Sequence, residues 1–199
     1  SEITTGVPGK FGQAYDFNYG GHINLTDWEP SDDSFTVSLW IKPEELSGQS
    51  SADDAYLFSN APPSGGYYTA IQLQNNDGTV RALYGGEDSV DIQSSSGAVT
   101  KDTWHNVILS HNSTQGGRLY VDGDQVASGP YNSMTMGQGF TYLGQLRSTE
   151  FKFHYTGVMD DVKTYDDAIT SSQASSIYNT ADLPSKEPVN KIYLNSSSD

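Results

Sequence analysis

The sequence predicts an all-β protein, a β-sandwich, and three observations support that prediction. Short runs rich in β-branched and aromatic residues recur along the 199-residue chain, separated by clusters of Gly, Asn, Asp, Ser and Pro. Residues 35–42 alternate between apolar and other side chains, as in a sheet with one face on a core. Helical spacing is nearly absent. Many short strands joined by turns are typical of an all-β sandwich.

The elements follow from local patterns along the chain. The predicted strands are residues 14–17, 22–25, 35–42, 56–59, 67–74, 80–84, 104–111, 118–121, 125–128, 140–144 and 158–165. Residues 75–78 and 122–124 are predicted hairpin turns, because their Asn, Asp and Gly residues tolerate the positive φ of tight turns. Thr170 and Gln173 have capping-box spacing, which predicts a short helix over 171–179.

We expect one domain over residues 1–182. Residues 183–199 are interpreted as a linker or C-terminal extension, with a possible edge strand at 189–194. The chain lacks an initiator Met and a signal peptide, so we expect a mature or excised piece of a larger exported protein.

Composition excludes several classes of function. The chain has no cysteine, which excludes disulfides and thiolate metal sites. Ten Lys and Arg against 25 Asp and Glu give a formal charge of −15, which disfavours nucleic acid and anionic membranes as partners. No stretch has the ~20 apolar residues of a membrane span, so no membrane insertion is expected. Such acidity is typical of proteins adapted to high salt, and an ordinary acidic exported domain is the alternative.

Two adjacent carboxylates interrupt the strand predicted at the C-terminal end. Strict alternation places Val158, Asp160 and Val162 on one face, with Asp161 on the other. A carboxylate buried among valines requires a strong partner. A hard cation such as calcium, backbone N–H groups and Arg147 are the alternatives.

Several motifs together resemble a known family. They are residues 12–18 (GQAYDFN), 35–43 (FTVSLWIKP), 103–107 (TWHNV), 119–123 (LYVDG), 142–144 (YLG) and 157–165 (GVMDDVKTY). Over residues 10–179 the chain resembles the laminin-G-like or concanavalin A-like jelly-roll domains, in the branch related to pentraxins. The resemblance implies a two-sheet antiparallel jelly-roll sandwich with one short C-terminal helix. It also implies glycan or protein binding at the curved face or rim loops.

The resemblance further implies a structural calcium ion. Asp160 matches the family's side-chain ligand, and Asn18, Gly20 and Gly21 are the positions whose backbone carbonyls would complete the site. Asn18 stands where an Asp is usual, which removes one charge from the site.

Aromatic and polar residues near Gly-rich loops are the candidates for glycan binding, since sugar rings stack on aromatic faces and their hydroxyls bind polar side chains. They are Trp28, Tyr67, Tyr68, Gln72, Arg81, Tyr84 and Asp88. Trp40 and Trp104 are assigned to the core.

The function expected from these observations is a non-catalytic binding or adhesion module of a larger exported or virion protein. Its expected partner is a glycan or a cell-surface protein, and its expected location is extracellular or on a cell or virion surface. A polysaccharide lyase or hydrolase of the same fold is an alternative, although the Glu-X-Asp-X-Glu arrangement of the related glucanases is missing. A structural assembly domain is a further alternative.

Overall fold

The computed structural model describes residues 3–25, 34–48, 50, 53–61, 69–85, 89–133, 141–146, 153–180 and 190–192. These residues form two antiparallel sheets and one short helix, which confirms the predicted sandwich. The strands are β1 (Ile3–Pro8), β2 (Gln13–Phe17), β3 (Ile23–Leu25), β4 (Ser34–Pro43), β5 (Ala55–Asn60), β6 (Thr69–Gln74), β7 (Thr79–Tyr84), β8 (Val90–Gln93), β9 (His105–Asn112), β10 (Gly116–Val121), β11 (Asp124–Gly129), β12 (Thr141–Leu143), β13 (Gly157–Tyr165) and β14 (Asn190–Ile192), and the helix is α1 (Ser171–Thr180).

The two sheets differ in size and strand order. The eight-stranded sheet runs β1-β2-β13-β4-β9-β10-β11, with β14 also paired to β13, and the six-stranded sheet runs β3-β12-β5-β6-β7-β8. Strands β1 and β8 were not predicted, because β1 contains Gly and Pro and lacks a regular apolar alternation, and β8 has only four residues. The predicted edge strand near residue 190 is present as β14, which pairs with residues 162–164 of β13.

The core lies between the sheets and follows the alternation in β4. Phe35, Val37, Leu39 and Ile41 are fully buried in one cluster with apolar side chains of the six-stranded sheet. Each such side chain contributes about 1.5–3 kcal/mol by leaving water. The alternation therefore sets which face of the larger sheet is internal.

The predicted helix is confirmed, and it covers the outer face of the larger sheet. The Thr170 N–H donates to Gln173 Oε1 at 2.9 Å, and the Gln173 N–H donates to Thr170 Oγ1 at 3.3 Å, which is the reciprocal capping box. Ala174 and Ile177 are buried against residues of β9, β10 and β13. Among the described residues this single helix is too short and too polar to cross a membrane.

Trp40 is buried as predicted, whereas Trp104 departs from its predicted core position. Trp40 is fully buried, but its ring lies on the outer face of the larger sheet and stacks on Tyr178 of α1, with centroids 5.5 Å apart. Trp104 is only partly buried. Neither ring belongs to the core between the sheets. Trp40 lies between the inward-facing Leu39 and Ile41 on β4 and therefore faces outward, and Trp104 precedes β9.

A bulge in β13 makes the predicted placement of its side chains wrong. Asp160 pairs with Trp40 while Lys163 pairs with Ser38, so two residues of β13 stand opposite one residue of β4, which is one extra residue in β13. Asp161 absorbs the irregularity with φ of 49°. Met159 and Val162 consequently both face the core, and Asp160 shares the outer face with Trp40. Asp160 is therefore not among valines.

The predicted hairpin turns are confirmed by their backbone conformation. Asn75 and Asn76 have φ of 62° and 53°, and Asp122 and Gly123 have φ of 53° and 85°. These are the left-handed conformations for which Asn, Asp and Gly are favoured.

Candidate functional site

The outer face of the six-stranded sheet carries a line of polar side chains, which we call the Arg81 row. Cross-strand pairing aligns Tyr56 with Gln72, Gln72 with Arg81, and Arg81 with Gln93. The residues that alternate with them on β6, β7 and β8 belong to the core, so the row faces away from it. The Arg81 row therefore crosses four strands on the outer face of the sheet.

Two carboxylates hold the Arg81 guanidinium on this face. Arg81 Nε and Nη2 donate to the two carboxylate oxygens of Asp91 at 2.9 and 2.5 Å. Arg81 Nη1 lies 3.9 Å from Asp54 Oδ2. The side chain of Arg81 is 23% exposed and that of Asp91 is 46% exposed, so the pairs add little stability, about 1 kcal/mol or less. Their main effect is to fix the direction of the guanidinium.

Asp54 lies where water is partly excluded. Burial raises the pKa of Asp54, and the nearby Arg81 charge and the hydrogen bond from Gln72 oppose that rise. Hydrogen bonds formed in such surroundings are electrostatically stronger than they are in water. A ligand that reaches Asp54 would therefore bind a carboxylate with few competing waters.

Gln72 is the buried centre of the row. Its side chain is fully buried, and Nε2 donates to Asp54 Oδ2 at 2.6 Å. Among the residues that the structure describes, Gln72 Oε1 has no hydrogen-bond partner. A buried acceptor without a partner costs about 1–3 kcal/mol, so a donor group supplied by a ligand would be favourable there.

An apolar wall borders the Arg81 row on the side of β5. Tyr56, Ala70 and Leu146 are buried in one cluster, with Phe153 packed against it. Ser59 Oγ donates at 2.8 Å to the carbonyl oxygens of Gln145 and Leu146, which holds the segment after β12 over β5. The row and the wall together place an apolar surface beside hydrogen-bonding groups, as is typical of sugar sites.

The structure brings together only part of the predicted ligand set. Gln72 and Arg81 are neighbours in the row. Trp28, Tyr67, Tyr68 and Asp88 lie outside the described residues.

The prediction for Tyr84 is corrected, because Tyr84 is fully buried in the core. Its hydroxyl donates to the Pro130 carbonyl at 3.0 Å and accepts the Gly117 N–H at 3.1 Å. Tyr84 is three residues from Arg81 on the same strand, and strand parity alone places the two side chains on opposite faces.

Asp54, Asp91 and Tyr56 were missed by the sequence reasoning. Asp91 lies on β8, which was not predicted, and Asp54 immediately precedes β5. The local sequence signal for the two carboxylates was weak: one aspartate immediately before β5 and one within the short strand β8.

The four residues nominated for calcium do not form one site in the structure. Phe17 pairs with Gly157, so the register places Asn18 opposite residue 156, four residues and about 13 Å along β13 from Asp160. Calcium ligands lie within 2.3–2.6 Å of the ion, which excludes a shared centre. Gly20 and Gly21 lie in the same turn as Asn18, whose carbonyl accepts the Gly21 N–H at 2.8 Å.

Asp160 instead accepts backbone N–H groups, one of the alternatives that the sequence left open. Its Oδ2 accepts from Phe11 N and its Oδ1 from Asp161 N, both at 2.7 Å. Burial raises the pKa of Asp160, and the N–H groups of Phe11, Asp161 and Lys10 oppose that rise. Asp160 thereby fastens the turn between β1 and β2 to the bulge of β13.

Asp160→Ala is expected to lower stability by about 2 kcal/mol, because it leaves two partly buried N–H groups without acceptors. The loss should be equal in calcium and in chelator, measured by thermal melting. A loss confined to calcium-containing buffer would contradict the amide role and support an ion at Asp160. Calcium held elsewhere stays a prediction, for which the wild-type melting temperature should fall in chelator.

Comparison with known proteins identifies the family and the fold of the chain. A family model described as the concanavalin A-like lectin/glucanases superfamily matches residues 17–175. The chain is also 23% identical over 155 residues to the adhesion G-protein coupled receptor V1 of Danio rerio, an alignment that covers 73% of this chain. The chain spans only 2% of that receptor's length.

Solved structures with the same fold include domains bound to oligosaccharides. Domain 4 of AbnA, an extracellular GH43 arabinanase from Geobacillus stearothermophilus, in complex with arabinotriose, has a TM-score of 0.70 and 23% identity, covering 89% of this chain and 82% of that chain. The CBM40 of Ruminococcus gnavus IT-sialidase, bound to α2,3 sialyllactose, has a TM-score of 0.66 and 14% identity, covering 83% and 96%. A SAP-like pentraxin from Limulus polyphemus has a TM-score of 0.62 and 18% identity, covering 88% and 80%.

Proposed function

Because the chain belongs to the concanavalin A-like lectin/glucanases superfamily, as its sequence resemblance predicted, we propose that it is a non-catalytic glycan-binding module. The proposed site is the Arg81 row with its apolar wall. The observation that carries the proposal is the network in which Gln72 and Arg81 are held by Asp54 and Asp91 on the outer face of one sheet.

The groups on this face suit a sugar. Hydroxyl groups of a glycan donate to carboxylate and amide oxygens, and Asp54, Asp91 and Gln72 supply such oxygens within three adjacent strands and their flanks. The apolar faces of sugar rings pack on aromatic and aliphatic side chains, and the partly buried Phe153 is an aromatic ring of this kind beside the row. Two neighbours with this fold are seen with bound oligosaccharides, which supports the proposal.

The arrangement favours binding over hydrolysis. A glycosidase requires two carboxyl groups facing each other across the scissile bond. Arg81 instead lies between Asp54 and Asp91 and contacts both, so neither carboxylate is left to act opposite the other. The lyase alternative requires an accessible histidine beside a tyrosine. His154 pairs with Tyr56 and packs against Tyr19, but it is only 1% exposed, which disfavours a role as a base.

We extend the proposal to an extracellular or surface location as part of a larger protein. The arabinanase whose domain 4 shares this fold is extracellular, and the relative from Danio rerio is an adhesion receptor. The acidic surface is compatible with contact with glycans but not with nucleic acid. Placement on a virion or in a saline habitat stays a prediction.

A glycan-array screen with matched variants tests the proposal. We expect wild-type protein to bind one glycan family and Arg81→Ala to bind it at least ~10-fold more weakly, since Arg81 orients both carboxylates. Arg118→Ala is the control, because Arg118 lies on β10 of the other sheet and is equally partly buried. Comparable melting temperatures for both variants would exclude misfolding as the cause.

Two outcomes would contradict the proposal. Absence of glycan binding by wild-type protein would remove the glycan-binding function. Equal binding by Arg81→Ala and wild type would move the site away from the Arg81 row.

A further inference from the structure

We infer that the Arg81 row selects neutral glycans and rejects acidic ones such as sialylated or uronic acid-containing chains. This inference rests on the proposed glycan-binding function and adds the chemical class of the ligand. It follows from how the only cation of the row is engaged and from the acceptors that surround it.

The cation of the row is already neutralised. Both guanidinium edges of Arg81 face carboxylates, with Nε and Nη2 hydrogen-bonded to Asp91 and Nη1 towards Asp54. A sugar carboxylate or sulfate is normally bound by an arginine with two donors directed at it. Here an acidic sugar would have to displace Asp91 from Arg81 or approach Asp54. Two carboxylates and one guanidinium also leave the cluster with a net charge of about −1, which repels an anion.

The buried acceptor of the row excludes the acidic group of a sugar from its own position. Gln72 is fully buried, its orientation is set by the hydrogen bond from Nε2 to Asp54, and Oε1 has no partner in the described part of the chain. A carboxylate or sulfate group only accepts hydrogen bonds and cannot satisfy this oxygen, whereas a hydroxyl, present on neutral and acidic sugars alike, donates to it. The row therefore requires a ligand that brings donors.

The charge of the whole chain acts in the same direction at long range. A formal charge of −15 lowers the local concentration of anionic glycans at low ionic strength. Added salt would weaken that repulsion but would leave the two directional hydrogen bonds from Arg81 to Asp91 in place. Preference for neutral ligands should therefore persist at high salt, although it should become smaller.

Paired probes test the inference. Binding of immobilised protein is measured to lactose and α2,3 sialyllactose, and to arabinotriose, galactan and polygalacturonate, at low and high salt. We expect lactose to bind at least ~10-fold more tightly than α2,3 sialyllactose, and galactan at least ~10-fold more tightly than polygalacturonate, in whichever pair binds; arabinotriose is a further neutral probe. Asp91→Asn keeps the shape of the side chain and removes the carboxylate charge that neutralises Arg81. It should therefore reduce the ratio of neutral-glycan affinity to acidic-glycan affinity severalfold. Asp124→Asn is the control, because Asp124 is exposed on β11 of the other sheet.

The outcomes separate the two claims. Binding of an acidic member as tight as or tighter than its neutral counterpart would overturn the inference and leave glycan binding intact. An unchanged ratio in Asp91→Asn would also overturn it. No binding to any of these probes or to a broad array would instead overturn the proposed function itself.

Discussion

Trp40→Ala is expected to destabilise the protein by about 3–5 kcal/mol, among the largest effects available to one side chain. Trp40 is fully buried under the N-terminal hairpin and α1. Its ring stacks on Tyr178 at 5.5 Å, meets Phe11 edge-on at 5.6 Å, and carries Lys10 Nζ 4.4 Å above it. Removal of the ring leaves a cavity on the outer face of the larger sheet. The N-terminal hairpin and α1, which both pack on this ring, lose that contact.

Urea denaturation measures this loss, and Trp40→Phe is the matched control. The smaller aromatic ring keeps part of the stacking, so we expect Trp40→Phe to lose less than half as much stability. Tyr178→Ala should also lose less, because Tyr178 is 37% exposed. A loss of under ~1 kcal/mol for Trp40→Ala would show that the outer cover contributes little to the fold.

Gly117→Ala is expected to cost at least about 3 kcal/mol by overpacking. A Cβ atom at Gly117 would lie 2.2 Å from Tyr84 Cε1 and 2.3 Å from Cζ. Tyr84 has no room to withdraw, because its ring is fully buried and its hydroxyl bonds Pro130 and Gly117. Relief of the clash therefore breaks two hydrogen bonds, each contributing about 1 kcal/mol.

The control for this substitution is Gly97→Ala. Gly97 has φ of 74° but no heavy atom within 4 Å of its ideal Cβ, so its cost of about 1–2 kcal/mol reflects backbone strain alone. In a Tyr84→Ala background, Gly117→Ala should cost much less than it does in the wild type, because the atoms that it meets are gone. Equal losses in both backgrounds, by urea denaturation, would rule out the clash with Tyr84.

The sequence predicted the elements whose signals are local. The hydrogen bonds of the capping box join Thr170 and Gln173, which are only three residues apart. The alternation from Phe35 to Ile41 directly indicates which face of β4 is internal. The bulge at Asp160 and Asp161 was not predictable in this way. It depends on the register against β4, and one shifted position moves the later side chains of β13 to the other face.

The candidate site was predicted in part for the same reason. Gln72 and Arg81 lie on the two strands of one hairpin, so the sequence places them near each other. Asp54 and Asp91 join them only through tertiary packing, since they come from beyond both ends of that hairpin. The error at Tyr84 was avoidable. Side chains alternate between the two faces of a strand, so residues 81 and 84, three apart on β7, lie on opposite faces.

The position of β13 within the larger sheet has a consequence for how the protein reaches its native state. β13 lies between β2 and β4, which are close in the chain, yet β13 comes more than a hundred residues after them. The sheet can close only after nearly the whole chain has been synthesised, and its central pairings have high contact order. We therefore expect refolding on the millisecond-to-second scale of all-β domains, with the β2–β13–β4 pairing formed late.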